Sequence, residues 1–335
     1  MNSAKASSDV SAPLLNEGAS LLDQVVEQSK IAKSESEHLR ARDLIAELVA
    51  EVMQGTVVVS ENLARSLDAR IAELDRMLSE QLSLVMHAPA FQQLEASWRG
   101  LHHLVTESTT GTMIKIKVFN ASKKELMRDF KAALEFDQSS LFKKIYEEEF
   151  GTFGGAPFGA LIGDYAITRQ PEDLYFLEQM SHVAAAAHAP FITAPAPELL
   201  GLESFADLGR PRDMAKVFDT VEYAKWKSLR DSEDARYVGL ALPRFLGRLP
   251  YNPIDGITID SFPFVEDVDG RDHSRYLWCN AAYAHGVRLT QAFENFGWCA
   301  AIRGVEGGGL VEGLPTHTFN TDDGEVALKC PTCLL

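Results

Sequence analysis

Residues Glu147–Tyr165 read EEEFGTFGGAPFGALIGDY, with four glycines between Gly151 and Gly159. Two phosphate-binding motifs are tested against this run, and both fail. A P-loop needs Lys and then Ser or Thr after its last Gly, but Ala160 and Leu161 follow Gly159. The dinucleotide fingerprint G-x-G-x-x-G fails on spacing. Both motifs also run strand, Gly turn, helix, so that a helix N-terminus meets the anion. Here a helix-like stretch, SSLFKKIYEEEF, precedes the glycines, and a strand-like one, FGALIGDYAI, follows them. The glycines therefore mark a helix-to-strand corner, where φ > 0 is needed.

Outward from this corner, strands and helices take turns. Upstream, MIKIKVFNA (113–121) alternates as a strand with Ile114, Ile116 and Val118 on one face. SKKELMRDFKAAL then reads as a helix capped by Ser122, with Glu125 completing a capping box. Downstream, PEDLYFLEQMSHVAAAA is a helix started by Pro171, and PFITAPA is a strand. DMAKVFDTVEYAKWKSLRDSEDA is helical, and RYVGLALPRFLGR is a strand. YLWCNAAYAHGVRLTQAFENFG is a helix, and WCAAIRGVEGG a strand running into a Gly turn. This order predicts an α/β (α+β) core on a mixed, mostly parallel sheet. The core spans 111–335.

A helical arm covers 36–110. It contains SESEHLRARDLIAELVAEVMQG, closed by Gly55, a helix with Leu63, Leu67, Ile71, Leu74 and Leu78 at three or four spacing, and APAFQQLEASWRGLHHLVTES, opened by Pro89. Between the first two helices lies TVVVS: Thr56, Val57, Val58, Val59 and Ser60. A strand isolated between long helices must pair with distant strands or with another chain. Residues 1–18 are small and polar, and read as a disordered tail. Residues 19–35 form an amphipathic helix whose stripe is Leu21, Leu22, Val25 and Val26. That stripe fits the protein's own core or a partner's groove equally well.

The 335 residues carry 48 acidic against 32 basic side chains, a formal charge of −16. No nucleic-acid partner is expected of such a surface, because phosphate binding needs a basic footprint. No run of 18 apolar residues exists, so no membrane insertion is expected, and no signal peptide is visible. Few cysteines fit a cytosolic, reduced protein.

No cofactor, metal or catalytic set emerges. Cys330 and Cys333 have C-x-x-C spacing, but only Leu334 and Leu335 follow, too little to form the helix that lowers a thiol's pKa. His102 and His103 face different sides of their helix, and His182 and His188 are six apart; packing or capping roles fit them. VEDVDGRDHSRY mimics a calcium loop, but Val265 and Tyr276 occupy positions that need carboxylates. It reads as a solvated acidic loop.

Five stretches together carry a family resemblance: LEASWRGLHHLV, FDQSSLFKKIYEEEFGTFGGAPFGALIGDY, VAAAAHAPFI, SEDARYVGLALPRFLGRLPY and GWCAAIRGVEGGGLVEGLPTHTF. The chain from about Leu14 to Thr332 closely resembles the large subunit of the bacterial type VI secretion contractile sheath, the TssC/VipB family. The resemblance implies a non-enzymatic polymer subunit. Such a subunit copolymerises with a small sheath subunit (TssB/VipA type) into a helical tube around an inner tube protein. It is seated on a baseplate and contracts to propel that tube. It further implies that an AAA+ unfoldase, ClpV, engages the N-terminal helix, here the Leu21–Val26 stripe, and that Thr56–Ser60 is an intersubunit strand. The family continues past KCPT, whereas this chain reads Cys333-Leu334-Leu335; the resemblance thus implies a missing C-terminal region. Cys279 stands in YLWCNAAYA where the family leads one to expect Gly or another residue, a packing variation. The alternatives are a soluble α/β enzyme with an acidic pocket and a phage-type tail sheath protein.

Overall fold

The computed structural model describes residues 34–54, 63–209, 213–254, 256–260, 262–270, 272–321 and 324–327. The stripe at Leu21, Leu22, Val25 and Val26, the strand expected at Thr56–Ser60, Gly55, and the Cys330–Cys333 pair all lie outside the described residues. The chain divides into two compact units, Met1–Arg76 and Met77–Leu335.

In the first unit, helix α1 (Glu35–Met53) carries Glu35 and Glu37 in its first turn, where carboxylates favour the helix dipole. Its Leu39, Leu44 and Met53 are exposed. Helix α2 (Leu63–Met86) runs through the unit boundary. Leu67, Ile71, Leu74 and Leu78 recur along it as the spacing predicts, and all four are exposed.

The second unit is built on a parallel sheet of three strands, in the order β1 (Leu161–Ile167), β2 (Phe191–Pro195), β3 (Val238–Leu240). All five residues of β2 are buried, the mark of a strand covered on both faces. On one side lies α5 (Pro171–Ala186). Its Phe176, Leu177, Val183 and Ala184 join Ile167 and Phe191 in the main apolar cluster. A second cluster joins α3 (Pro89–Thr106) and α8 (Ala281–Phe296) through Leu104, Tyr283 and Val287, with Ile162 of β1 packed against it. Gly100 makes the approach of these two helices feasible. A Cβ built there would lie 2.3 Å from Tyr283 Cδ2.

Several local expectations hold. Helix α4 (Lys123–Ala132) starts with the capping box of Ser122 and Glu125. Pro89 and Pro171 open α3 and α5. The Gly run is a helix-to-strand corner: an α-helical start at Ser140–Phe142 passes into a π-helix over Lys143–Phe150, and the chain turns at Gly151 and Gly154 (φ +85°) before β1. Helix α5 ends in the left-handed region without glycine. His188 has φ +52°, and Ala189 N donates to Ala184 O, the six-to-one bond of a Schellman ending.

Other expectations are corrected. MIKIKVFNA is not a strand: no residue in it is part of one. The alternation leaves Ile114 and Ile116 half-buried between exposed neighbours, but it does not by itself supply a partner strand. RYVGLALPRFLGR is two strands, β3 and β4 (Arg244–Leu246), separated by a cis Leu242–Pro243 bond. Pro243 cannot donate to a ladder, so pairing must restart after it. The start of YLWCNAAYAHG is strand β5 (Trp278–Asn280), antiparallel to β4, and the helix begins only where the Asn280 side chain accepts from Ala282 N. WCAAIRGVEGG is not a strand; irregular chain leads to a π-turn over Val305–Gly309. DMAKVFDTVEYAKWKSLRDSEDA breaks into α6 (Met214–Phe218), α7 (Ala224–Asp231) and 3₁₀ turns. A hairpin of β6 (Thr318–Thr321) and β7 (Gly324–Ala327) follows.

Candidate assembly surface

The 265–276 loop is not simply solvated. Glu266 is buried, and so is Arg248, which donates from Nη1 to Glu266 Oε2 (2.6 Å) and from Nη2 to Glu266 Oε1 (3.0 Å). Arg248 Nε also donates to Glu95 Oε1 on α3 (2.9 Å), and Arg99 Nε reaches the same oxygen (2.7 Å). His87, between α2 and α3, lies 3.2 Å from Glu266 Oε1. Tyr251 N donates to Glu266 Oε2 (3.0 Å). A two-pronged Arg–carboxylate pair of this kind fixes orientation as well as charge. Burial opposes the ionised form of Glu95, but Arg248 and Arg99 outweigh it and hold its carboxyl below the usual range. Burial likewise opposes charge on Arg248, and its bonds to Glu266 and Glu95 push its pKa up. The network ties the α2–α3 corner and α3 to the loops that follow β4. Sequence reading missed it because Glu266 sits among exposed carboxylates. One signal was available: Arg248 stands within the apolar run FLGRLPY.

The remaining titratable candidates are absorbed by packing. His182 Nδ1 lies 2.8 Å from Asp234 Oδ2, and His188 Nδ1 lies 3.3 Å from the Tyr237 hydroxyl. Burial pushes the Cys279 thiol up to about 12 and the Tyr165 hydroxyl up to about 12. Cys279 donates to Ala96 O at 3.3 Å, and a Cβ at Gly247 would lie 2.6 Å from its sulfur. It is a packed thiol fitted to a glycine. Among the described residues, no three His, Cys, Asp or Glu side chains gather as a metal site, and no helix is long and apolar enough to cross a membrane.

Among its exposed charged residues, the second unit also displays apolar side chains. On α3, Leu94, Trp98 and Val105 are exposed at four- and seven-residue spacing, one helix face, with Trp98 65% exposed. Val105 borders an open surface depression of about 480 Å³ that Ile114, Ile116 and Val118 also line. Among the described residues, Lys115–Asn120 make no backbone–backbone hydrogen bond. Exposed apolar side chains on one helix face form a surface suited to association.

Two comparisons bear on what such a surface serves. Residues 68–335 match the family described as "EvpB/VC_A0108, tail sheath N-terminal domain" (VipB). The chain is also 47% identical over 302 residues to "Type VI secretion system sheath protein TssC1" of Pseudomonas aeruginosa. That alignment covers 90% of this chain and 60% of the relative, so the chain spans well under two thirds of that relative's length. With the family match covering the whole parallel sheet and both helices that flank it, the chain belongs to the VipB tail sheath family.

Proposed function

We propose that the chain is a structural subunit of a type VI secretion contractile sheath, one that copolymerises with a small sheath subunit around an inner tube and contracts to propel it. The observation that carries this reading is the 47% identity to a sheath protein over 90% of the chain. The outward apolar stripe on α3 supports it, since a polymer subunit must keep association surfaces available. The reading includes no catalysis and no cofactor. The packed Cys279 thiol and the ion-paired Glu95 and Glu266 serve the fold. A cytoplasmic site of assembly and a baseplate contact belong to the same reading. So does the domain plan: tail 1–18, partner helix 19–35, arm 36–110 and sheath core 111–335.

Coexpression with the small sheath subunit, followed by negative-stain electron microscopy, tests the reading. Association with the small subunit, as tubes or as smaller assemblies, is expected; a chain that never associates with it refutes the reading. The partner helix is tested separately. A peptide spanning Ala19–Ala32 should bind the N-terminal domain of the ClpV-type unfoldase through Leu21, Leu22, Val25 and Val26. Burial of each such side chain contributes about 1.5–3 kcal/mol, so Leu22→Asp with Val26→Asp should abolish the anisotropy change. Equal affinity for the double variant removes the unfoldase assignment. The strand Thr56–Ser60 is proposed to pair with a neighbouring subunit, and Val58→Pro should shorten the tubes.

A further inference from the structure

Helix α2 has its faces inverted. Ser79 and Ser83 are buried, and Ser83 Oγ accepts from Asp267 N (3.2 Å). Its large apolar side chains lie elsewhere: Leu67, Ile71, Leu74, Leu78 and Val85 are all exposed, as are Met77 and Leu84 beside them. A helix that serves only its own core turns the apolar stripe inward.

The spacing of the exposed stripe is specific. With Gln81, also exposed, it runs 67, 71, 74, 78, 81, 85, in alternating steps of four and three. That is a heptad seam, narrower than the stripe of a core-facing helix. Ile71, Leu78 and Val85 take position a; Leu67, Leu74 and Gln81 take position d. β-Branched residues at a with leucine at d favour two parallel strands, and one polar residue in the seam fixes their register.

We propose that the α2 helices of two copies of the chain pair in parallel and in register through this seam. The sequence of the helix selects a second copy as the occupant. In that register Gln81 faces Gln81 of the second copy, and a carboxamide both donates and accepts, so each satisfies the other. The flanks match too. Position g of one helix meets position e of the other, five residues on. Arg70 then meets Asp75, and Met77 meets Leu82, charge with opposite charge and apolar with apolar. Arg70 also holds Glu73 on its own helix (2.9 Å), and a guanidinium has five N–H groups to share. Antiparallel pairing would set the e flank against the e flank, and both Asp68 and Asp75 lie there. The parallel contact uses the same patch on both copies and closes at two. It is therefore a state of the free chain, and tube growth is left to other surfaces.

Sedimentation equilibrium of the full chain over a wide concentration range tests this. A monomer–dimer equilibrium is expected, and a weak one, because six seam positions make a short coil. Ile71→Lys with Leu78→Lys should abolish pairing; both side chains are exposed, so core packing is untouched. Gln81→Leu should tighten it, because a polar seam residue fixes register at a cost in stability. Arg70→Asp and Asp75→Arg should each weaken it several-fold. An equimolar mixture of those two should recover it, since every g–e charge contact is then opposite in sign. A chain that is monomeric throughout, or a dimer that the double lysine variant leaves intact, overturns the proposal. So does a mixture of the charge variants that pairs no better than either alone. Association seen only with the small sheath subunit, and lost in the double lysine variant, also overturns it and assigns the seam to that partner. The pairing does not depend on the sheath reading: a chain that dimerises but never binds the small subunit keeps the first and loses the second.

Discussion

Arg248 shows how one side chain can organise a large loop region. It is 5% exposed and pairs with Glu266, 2% exposed, and with Glu95. Truncation to Arg248→Ala leaves Glu266 buried without its guanidinium, while Glu95 keeps Arg99. Removal of one partner from a buried pair costs about 3–5 kcal/mol, and urea denaturation should register a loss of that size. The triple replacement Arg248→Met, Glu266→Leu, Glu95→Leu should be much milder, because the one charge it leaves without a partner, Arg99, is partly exposed. An equal loss in both would show that packing of the Arg stem, not the charge pairing, holds the region. Acid should act on the same kind of group. Burial raises the pKa of Asp173, but Lys123 Nζ (2.8 Å) and the Thr168 amide (2.8 Å) outweigh it, so the folded value lies below the ordinary one. Glu95 is shifted the same way. For a lowered folded pKa, the unfolded chain binds more protons. The stabilisation is complete above the unfolded value and is lost as pH falls through the folded one. Stability should therefore decline from about pH 4.5 downward, and Asp173→Asn should flatten that limb in denaturation curves taken between pH 3 and pH 6.

At the scale of elements, Gly100 runs against helix propensity. Glycine inside a helix costs about 0.5–1 kcal/mol relative to alanine, so Gly100→Ala would stabilise an isolated α3. In the folded chain the new methyl meets the Tyr283 ring, 2.3 Å from Cδ2. Overpacking of this kind costs about 1–3 kcal/mol. Thermal melts should show a net loss for Gly100→Ala, relieved by adding Tyr283→Leu; stabilisation by the single change would mean that the two helices part easily. Ser122→Ala, by contrast, removes the side-chain half of the α4 capping box, leaving its backbone N donating to Glu125 Oε2, and should cost about 1 kcal/mol. The caps, prolines and periodicity of α3, α4 and α5 were legible because each acts within a few residues. Segment 113–121 had a strand's alternation, yet no residue of it is part of a strand, because alternation does not decide what lies alongside. The break of RYVGLALPRFLGR at Pro243 carried a local signal, a proline in a strand-like run. The strand at Trp278–Asn280 had none, because its pattern merges into the helix that follows.

For the whole molecule, the unit Met77–Leu335 contains the parallel sheet and the helices on both of its faces. A protein cut to residues 77–335 should therefore unfold in one cooperative transition, followed by circular dichroism at 222 nm. A broad, featureless melt would show that its core is incomplete without residues 1–76. Family membership reaches this same region, since the match starts at residue 68. The sequence carried that membership in long motifs such as the glycine corner, and it carried the alternating α/β order through local hydrophobic periods. Local chemistry also determined the start of each capped helix, because a cap or an N-terminal proline needs only its own turn. Tertiary structure alone decided which extended segments pair, that Glu266 lies buried on Arg248 rather than in solvent, and that Phe153 faces outward while Gly100 receives Tyr283. Those outcomes depend on residues far apart in the chain meeting in space: Glu95 and Arg248 are 153 positions apart and share one hydrogen bond of 2.9 Å. No local period encodes such a meeting, because its energy exists only once the intervening sheet has formed.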